Sequence, residues 1–339
     1  MSEKKPLIGI TIGDPAGIGP EIVIKALSDR VSYEVSRPVV YGDRCIIERS
    51  LTDLGASLDL NQVSSPGEGR FQVGTLDFVD TEILSEPVAY GEISGDGGRA
   101  GLAYLGRATD AALAEEVDGL ATAPLNKESL QASNAPFIDH TAALKARAAL
   151  REPMTLFLVK TLKIFFLTRH ISFREIPDAI TEELILEAAP LCDLYLRQLG
   201  VENPYLAVAA LNPHGGEQGL FGTDEMDVIG PAVQKGKERG MNIAGPVPAD
   251  SVFHQALEGK YDGVLSLYHD QGHIASKTLD FHGTVSLTMG LKFLRTSVDH
   301  GTAFDIAGKG IAGERGMIEA IKAAGKHSLS VKENLHLEL

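Results

Sequence analysis

Short apolar runs rich in β-branched residues alternate along this chain with longer stretches whose apolar positions recur at helical spacing. The strand-like runs cover residues 7–12, 38–41, 119–122, 163–168, 205–211 and 262–268. Between them the spacing predicts helices over 20–28, 99–115, 141–151, 176–199, 224–239 and 250–257. Such alternation predicts an α/β protein with a mainly parallel sheet. Pro20 beside Glu21 suits a helix start, where a missing N–H costs nothing and a carboxylate meets the positive end of the helix dipole. Residues 64–92 are richer in Gly, Pro and acidic side chains, with weak periodicity, and are expected to form an excursion carrying some antiparallel strand. No repeat or low-complexity tract interrupts the pattern.

Three of the apolar runs share an ending. Ile164-Phe165-Phe166-Leu167-Thr168 leads into Arg169-His170, the run 206–211 into Asn212-Pro213-His214, and 264–267 into Tyr268-His269-Asp270. Ligands of open α/β sheets bind beyond the carboxyl ends of the strands. Three imidazoles delivered there can hold one divalent cation and leave coordination positions open for substrate. Asp250 and Asp270 are close enough in sequence to add a ligand or to accept a hydrogen bond from a ligating ring. The competing reading is three unrelated loop histidines, each bonded locally. His254, His327 and His336 lack the strand-end context and are expected at the surface, while His273 and His282 are ambiguous.

Length and charge narrow the possibilities. At 339 residues the chain exceeds the usual single core, so two subdomains flanking a cleft are expected. Cys45 and Cys192 alone make no disulfide framework and point to a reducing, cytoplasmic setting. No apolar run approaches bilayer length, so no membrane role is expected. The formal net charge of −15 disfavours a nucleic-acid partner. A single phosphate remains admissible, because a few Lys and Arg can set the field of a cleft.

The first strand runs into Gly13-Asp14-Pro15-Ala16-Gly17-Ile18-Gly19-Pro20-Glu21, which permits a tight turn before a helix but lacks the third glycine of the dinucleotide fingerprint. A conventional Rossmann site is not expected. Together with Thr122-Ala123-Pro124-Leu125-Asn126-Lys127, Leu211-Asn212-Pro213-His214, Pro248-Ala249-Asp250, Tyr268-His269-Asp270-Gln271-Gly272 and Arg295-Thr296-Ser297-Val298-Asp299-His300-Gly301-Thr302-Ala303, this loop resembles the 4-hydroxythreonine-4-phosphate dehydrogenase family over nearly the whole chain. Gly17-Ile18-Gly19-Pro20-Glu21 and the segment 300–308 also look like parts of the isocitrate and isopropylmalate dehydrogenases.

The resemblance implies a two-subdomain α/β/α fold of the isocitrate/isopropylmalate dehydrogenase kind. Residues 1–125 plus 305–339 would form the first subdomain, and 126–304 the second, carrying metal ligands and dimer contacts. It implies His170, His214 and His269 as metal ligands, in agreement with the strand-end argument, and a homodimer in which each site draws on both subunits. It implies His140, Thr141, Lys277, Ser286 and Arg295 at the substrate, and His300 with Gly301 at NAD, by its adenosine half. Lys277 and Asp250 are the candidates for catalysis, and Lys127 is a further cation for an anion clamp. For His140 the plain alternative is a capping arrangement with Asp139.

Ser286 stands where the biosynthetic enzymes carry Asn, and His273-Ile274-Ala275-Ser276-Lys277 replaces their Leu-Pro pattern. These departures look more like the branch acting on 4-phospho-D-threonate and 4-phospho-D-erythronate. The expected reaction is therefore NAD-dependent and metal-dependent oxidation at C3 followed by β-decarboxylation to dihydroxyacetone phosphate. The alternatives are 4-phosphooxy-L-threonine dehydrogenation, oxidation of an aromatic cis-dihydrodiol acid, a metal-dependent hydrolase or aldolase, and a two-lobed binding protein.

Overall fold

The computed structural model describes residues 5–338; Met1–Lys4 and Leu339, which the expected first subdomain included, lie outside the described residues. Among the described residues twelve strands form: β1 (Leu7–Thr11), β2 (Arg37–Gly42), β3 (Asp59–Gln62), β4 (Thr75–Asp80), β5 (Gly119–Thr122), β6 (Ala149–Val159), β7 (Leu162–Phe166), β8 (Leu206–Ala209), β9 (Ile243–Val247), β10 (Gly263–Ser266), β11 (Val285–Leu291) and β12 (Leu294–Val298).

The chain divides into two compact units, Met1–Pro153 with Val285–Lys332, and Met154–Thr284 with Glu333–Leu339. These limits differ from the expected division at 125 and 305. The helix His140–Ala148 packs on the helix Gly95–Leu113 and on β11, which holds residues 140–148 in the first unit, and the β11–β12 hairpin pairs with β5 there.

In the first unit the strand order is β3-β4-β2-β1-β5-β12-β11, parallel throughout except for the β11–β12 hairpin. Alternate residues of a strand face opposite sides, and both sides are covered here. Ile8, Ile10, Val40 and Ala121 enter one core with Phe78 and Tyr104, while Leu7, Val39, Tyr41 and Leu120 enter another with Leu105 and Phe293. Each large apolar side chain so buried contributes about 1.5–3 kcal/mol relative to exposure. The expected antiparallel strand within 64–92 is corrected: β4 pairs parallel with β2 and with β3. The crossover helix Arg44–Leu54, not foreseen from the sequence, returns the chain to the same sheet edge and makes parallel pairing possible.

The second unit orders its strands β6-β7-β10-β8-β9, with only β6 antiparallel to its neighbour. Ile164, Phe166, Ala207, Ala209 and Val264 share a core with Val252, Ala256 and Tyr261. The single helix expected over 176–199 is two, Ile176–Ala179 and Glu182–Gln198, the second capped by Thr181 accepting from Leu184 N. No helix among the described residues is long and apolar enough to cross a membrane.

Candidate active site

The three strand-end histidines belong to the second unit and follow three adjacent parallel strands, β7, β10 and β8. Each loop has its own fastening. Beyond β7, Leu167 N donates to Ser266 O at 2.8 Å and the Thr168 hydroxyl to Leu267 O at 2.7 Å, which carries the ladder toward His170. Beyond β10, the buried Gln271 accepts from Leu267 N at 2.8 Å and donates to Ala210 O at 2.8 Å, tying the end of β10 to the end of β8. Gly272 lets the helix His269–Leu279 approach β7, since a Cβ there would meet the Phe166 ring at 2.6 Å. Beyond β8, the buried Glu225 carboxylate accepts from Leu211 N at 2.8 Å, Asn212 N at 2.6 Å and Asn212 Nδ2 at 2.9 Å. From that anchor the chain runs through five left-handed residues, His214 to Gln218, with His214 at φ 54. A backbone held in this region is strained for a non-glycine residue.

His170 and His269 come together, with ring centroids 5.9 Å apart. His269 Nδ1 lies 2.6 Å from Asp270 Oδ1, an arrangement that places the ring proton on Nδ1 and leaves the Nε2 lone pair for a ligand. His273, ambiguous in the sequence, lies tilted against His269 with ring centroids 4.0 Å apart, stacks on Phe166 and meets Phe157 edge-on. His214 keeps other company: its Nδ1 is 3.8 Å from Asp250 Oδ2 and its ring 6.5 Å from that of Phe221. Among the described residues of one chain, no group of three His, Cys, Asp or Glu side chains is close enough to hold a metal. The expected three-histidine set is therefore not complete within a single chain. The donors that are present, imidazoles with carboxylates beside them, have the chemistry a borderline divalent cation requires. Lys277, at the other end of the helix, lies over the Phe281 ring at 5.0 Å.

Arg295, His140, Thr141 and Ser286 belong to the first unit. In the β11–β12 register Ser286 faces Ser297 and Thr288 faces Arg295, so all four project from one side of the hairpin. Arg295 is buried, its Nε donating to Thr122 Oγ1 at 2.9 Å and its Nη1 to Thr288 Oγ1 at 3.1 Å. Burial draws the guanidinium down to about 10, an effect that the Asp139 carboxylate opposes. His140 opens its helix, and Asp139 is the cap, accepting from Ala142 N at 2.9 Å. The capping arrangement and the proximity of His140 to Arg295 hold together. Burial, then the Arg295 charge, pushes the imidazole well below its ordinary range, while the Ala123 carbonyl acts the other way.

The glycine-rich loop is packed against protein. A Cβ on Gly13 would sit 2.3 Å from Pro124 O, and one on Gly17 2.9 Å from Thr302 O. Asp14 N donates to Pro124 O at 2.9 Å, Ile18 N to Thr302 O at 3.0 Å, and Asn126 Nδ2 to Thr302 Oγ1 at 3.2 Å. Asp14 is fully buried, and burial raises its carboxyl although Ala16 N–H favours the charge. His300 and Gly301 stand exposed just before the buried Thr302, and Lys127 is exposed at the start of the helix Lys127–Ala132. Glu225, Gln271 and Thr168 were not singled out from the sequence. Thr168 and Gln271 adjoin histidine motifs, which was the one available signal, whereas Glu225 adjoins none.

Two α/β units, with polar and ligand-type side chains gathered past strand ends, define an open-sheet protein built to hold a small ligand there. The chain belongs to the family described as pyridoxal phosphate biosynthetic protein PdxA, whose profile matches residues 34–324. A Halalkalibacterium halodurans protein named "Putative D-threonate 4-phosphate dehydrogenase" is 49% identical over 326 residues, covering 96% of this chain and 98% of its own. The crystal structure of 4-hydroxythreonine-4-phosphate dehydrogenase from Klebsiella pneumoniae superposes with a TM-score of 0.88 at 39% identity, covering 95% of this chain and 99% of that one. A terephthalate 1,2-cis-dihydrodiol dehydrogenase from Burkholderia xenovorans gives 0.64 at 29% identity, covering 97% and 99%. The fold is that of the PdxA dehydrogenases, and the relatives are dehydrogenases by name.

Proposed function

We propose that this chain is an NAD-dependent, divalent-cation-dependent dehydrogenase of 4-phospho-D-threonate or 4-phospho-D-erythronate. The observation that supports this most is the placing of His170, His269 and His214 past three adjacent parallel strands, with a carboxylate on His269 Nδ1. These three would hold the cation, with at least one ligand supplied by the second subunit of a homodimer. A bound cation supplies Lewis acidity at the substrate hydroxyl, and NAD supplies the hydride acceptor. His300 and Gly301, exposed beside the close-packed glycine loop, would meet the adenosine half of the dinucleotide.

The chain's own part is binding, orientation and proton handling. Arg295, fixed by Thr122 and Thr288, offers its remaining N–H donors to the phosphate, with His140, Thr141 and Ser286 around it. A guanidinium held in place positions a phosphate better than a mobile ammonium does. Lys277 and Asp250 are the groups proposed to accept the hydroxyl proton as the C3 hydride leaves. The resulting 3-keto acid loses its C1 carboxylate as CO₂, the electron pair passes to C2, and protonation there yields dihydroxyacetone phosphate.

A second reading, 4-phosphooxy-L-threonine as substrate, is favoured by the family description and by the Klebsiella structure. The 49% identity to the D-threonate relative and the Ser286 departure favour the first. The deciding experiment follows NADH formation with 4-phospho-D-threonate, 4-phospho-D-erythronate and 4-phosphooxy-L-threonine, with and without chelator. The proposal expects chelator-sensitive NADH from one or both hydroxy acids. Failure of all three acids to give NADH would refute it, and activity confined to the amino acid would establish the second reading.

A further inference from the structure

His140 has an unmet need. Its Nε2 is shut off from solvent and has no hydrogen-bond partner. The Ala123 carbonyl engages the ring, and with Nε2 unpartnered that bond falls to Nδ1–H. The imidazole then presents one buried lone pair beside one fixed cation, Arg295, whose Nε and Nη1 are spoken for by Thr122 and Thr288. A buried acceptor left unpaired in the free protein points to a group that arrives with the ligand.

Two kinds of group could meet it. A hydroxyl would donate to Nε2 and leave the ring neutral. A phosphate oxygen would face a lone pair and be repelled, unless Nε2 gained a proton. Arg295 makes the second case the stronger: burial first, and the guanidinium charge second, keep the free ring neutral, but that same charge attracts a dianion, and the dianion then reverses the sign of the local field. The charged group acting on the ring is Arg295 from β12, and Arg295 in turn feels Asp139, the cap of the His140 helix. From the packed helix Gly95–Leu113, Asp110 is bound to Arg147 at the far end of the His140–Ala148 helix, while β11 carries no charged residue and β5 contributes Thr122.

We infer that His140 is neutral in the free protein and takes up one proton when a phosphate dianion binds at Arg295, so that Nε2–H donates to a phosphate oxygen. This rests on reading the Arg295 pocket as the phosphate site. The sign follows from linkage. The free-state value lies below the ordinary histidine range and the bound-state value above it, so between the two, binding consumes a proton. Affinity then weakens as pH rises, approaching about tenfold per pH unit for one proton.

Calorimetric titration of the full-length protein with 4-phospho-D-threonate, at neutral pH in two buffers of different ionisation enthalpy, counts the protons. Near one proton per site is expected for the wild type and near zero for His140→Gln, with weaker but measurable binding. Wild-type binding without uptake overturns the inference and leaves the phosphate reading standing. Uptake that persists in His140→Gln also overturns it, by placing the proton elsewhere. Absence of any phosphate-dependent binding removes the phosphate reading and the inference together. Nitrogen-15 shifts of the His140 ring in wild-type protein saturated with inorganic phosphate give the same answer without a variant. Two protonated ring nitrogens are expected, and an unprotonated Nε2 would sink the idea.

Discussion

The Arg295 pocket, set within β12, and the histidine loops, set past strand ends, both present charged or ligating groups, yet they are prepared in opposite ways. Arg295 is 5% exposed and anchored at two nitrogens by threonine hydroxyls, so its geometry is set before any ligand arrives. The His214 and His269 side chains are 63% and 41% exposed, and their carboxylate neighbours Asp250 and Asp270 are 66% and 72% exposed. One region is fixed within a single chain, whereas the other, on the proposed reading, is a set of donors that a cation and a second subunit would complete. An anion pocket can be built from buried donors, because each N–H finds a protein acceptor. A cation site cannot be closed the same way, since lone pairs pointed at one another repel until the ion is there.

The largest break in that comparison should come from His214. His214→Ala is expected to lower turnover by about 10³-fold or more, the loss that follows removal of a ligand from a catalytic cation. Because the side chain is exposed, stability should stay within about 0.5 kcal/mol of wild type. Urea unfolding and NADH formation together check this, and wild-type turnover would eliminate the metal role.

Arg295→Lys comes next. Lysine keeps the charge but gives up the fork that reaches Thr122 and Thr288 while still offering donors to a phosphate. We expect kcat/KM for the phosphorylated acid to fall about 10²-fold, with the reaction of the dephosphorylated acid, already poor, nearly unchanged. An equal loss for both acids would show that the pocket does not read the phosphate.

Asp270→Asn tests the prepared half of the histidine region. The carboxylate on His269 Nδ1 sets the tautomer, so its removal should weaken Mn²⁺ or Zn²⁺ binding by about 10–100-fold. Titration of metal-free protein reads this directly, and unchanged affinity would separate Asp270 from the cation.

Much of this arrangement was legible in the sequence because parallel strands covered on both faces are written as continuous apolar runs. β1, β5, β8 and β10 lie within runs marked from the sequence, β7 begins one residue before its run, and the histidines do follow β7, β8 and β10. β12 escaped that reading for a physical reason. Its buried positions include Arg295, Thr296 and Ser297, polar groups tolerated only because β5 and β11 supply partners that no local window contains. The fastening of the histidine loops was hidden in the same way. Glu225 reaches back 13 residues to Asn212 N, and Gln271 reaches 61 to Ala210, distances at which sequence pattern carries no signal. The grouping of His170 with His269 apart from His214 depends on where the loops turn, and the left-handed run through His214 is a backbone choice that its residue types alone do not dictate.

The smallest effects should sharpen the contrast most finely, because they subtract one interaction from each region. Thr288→Val keeps the shape of the side chain and removes the acceptor 3.1 Å from Arg295 Nη1. The donor it strands is charged and buried, so unfolding free energy should drop by about 1–3 kcal/mol, with a rise in KM for the phosphorylated acid and kcat largely kept. Asp250→Asn removes a carboxylate 3.8 Å from His214 Nδ1, where both partners face water and neither depends on the other for solvation. Its effect on stability should stay within about 0.5 kcal/mol. If Asp250→Asn cost as much as Thr288→Val, the histidine loops would have to be as rigidly prepared as the arginine pocket, and the proposed division between a finished anion site and an unfinished cation site would fail.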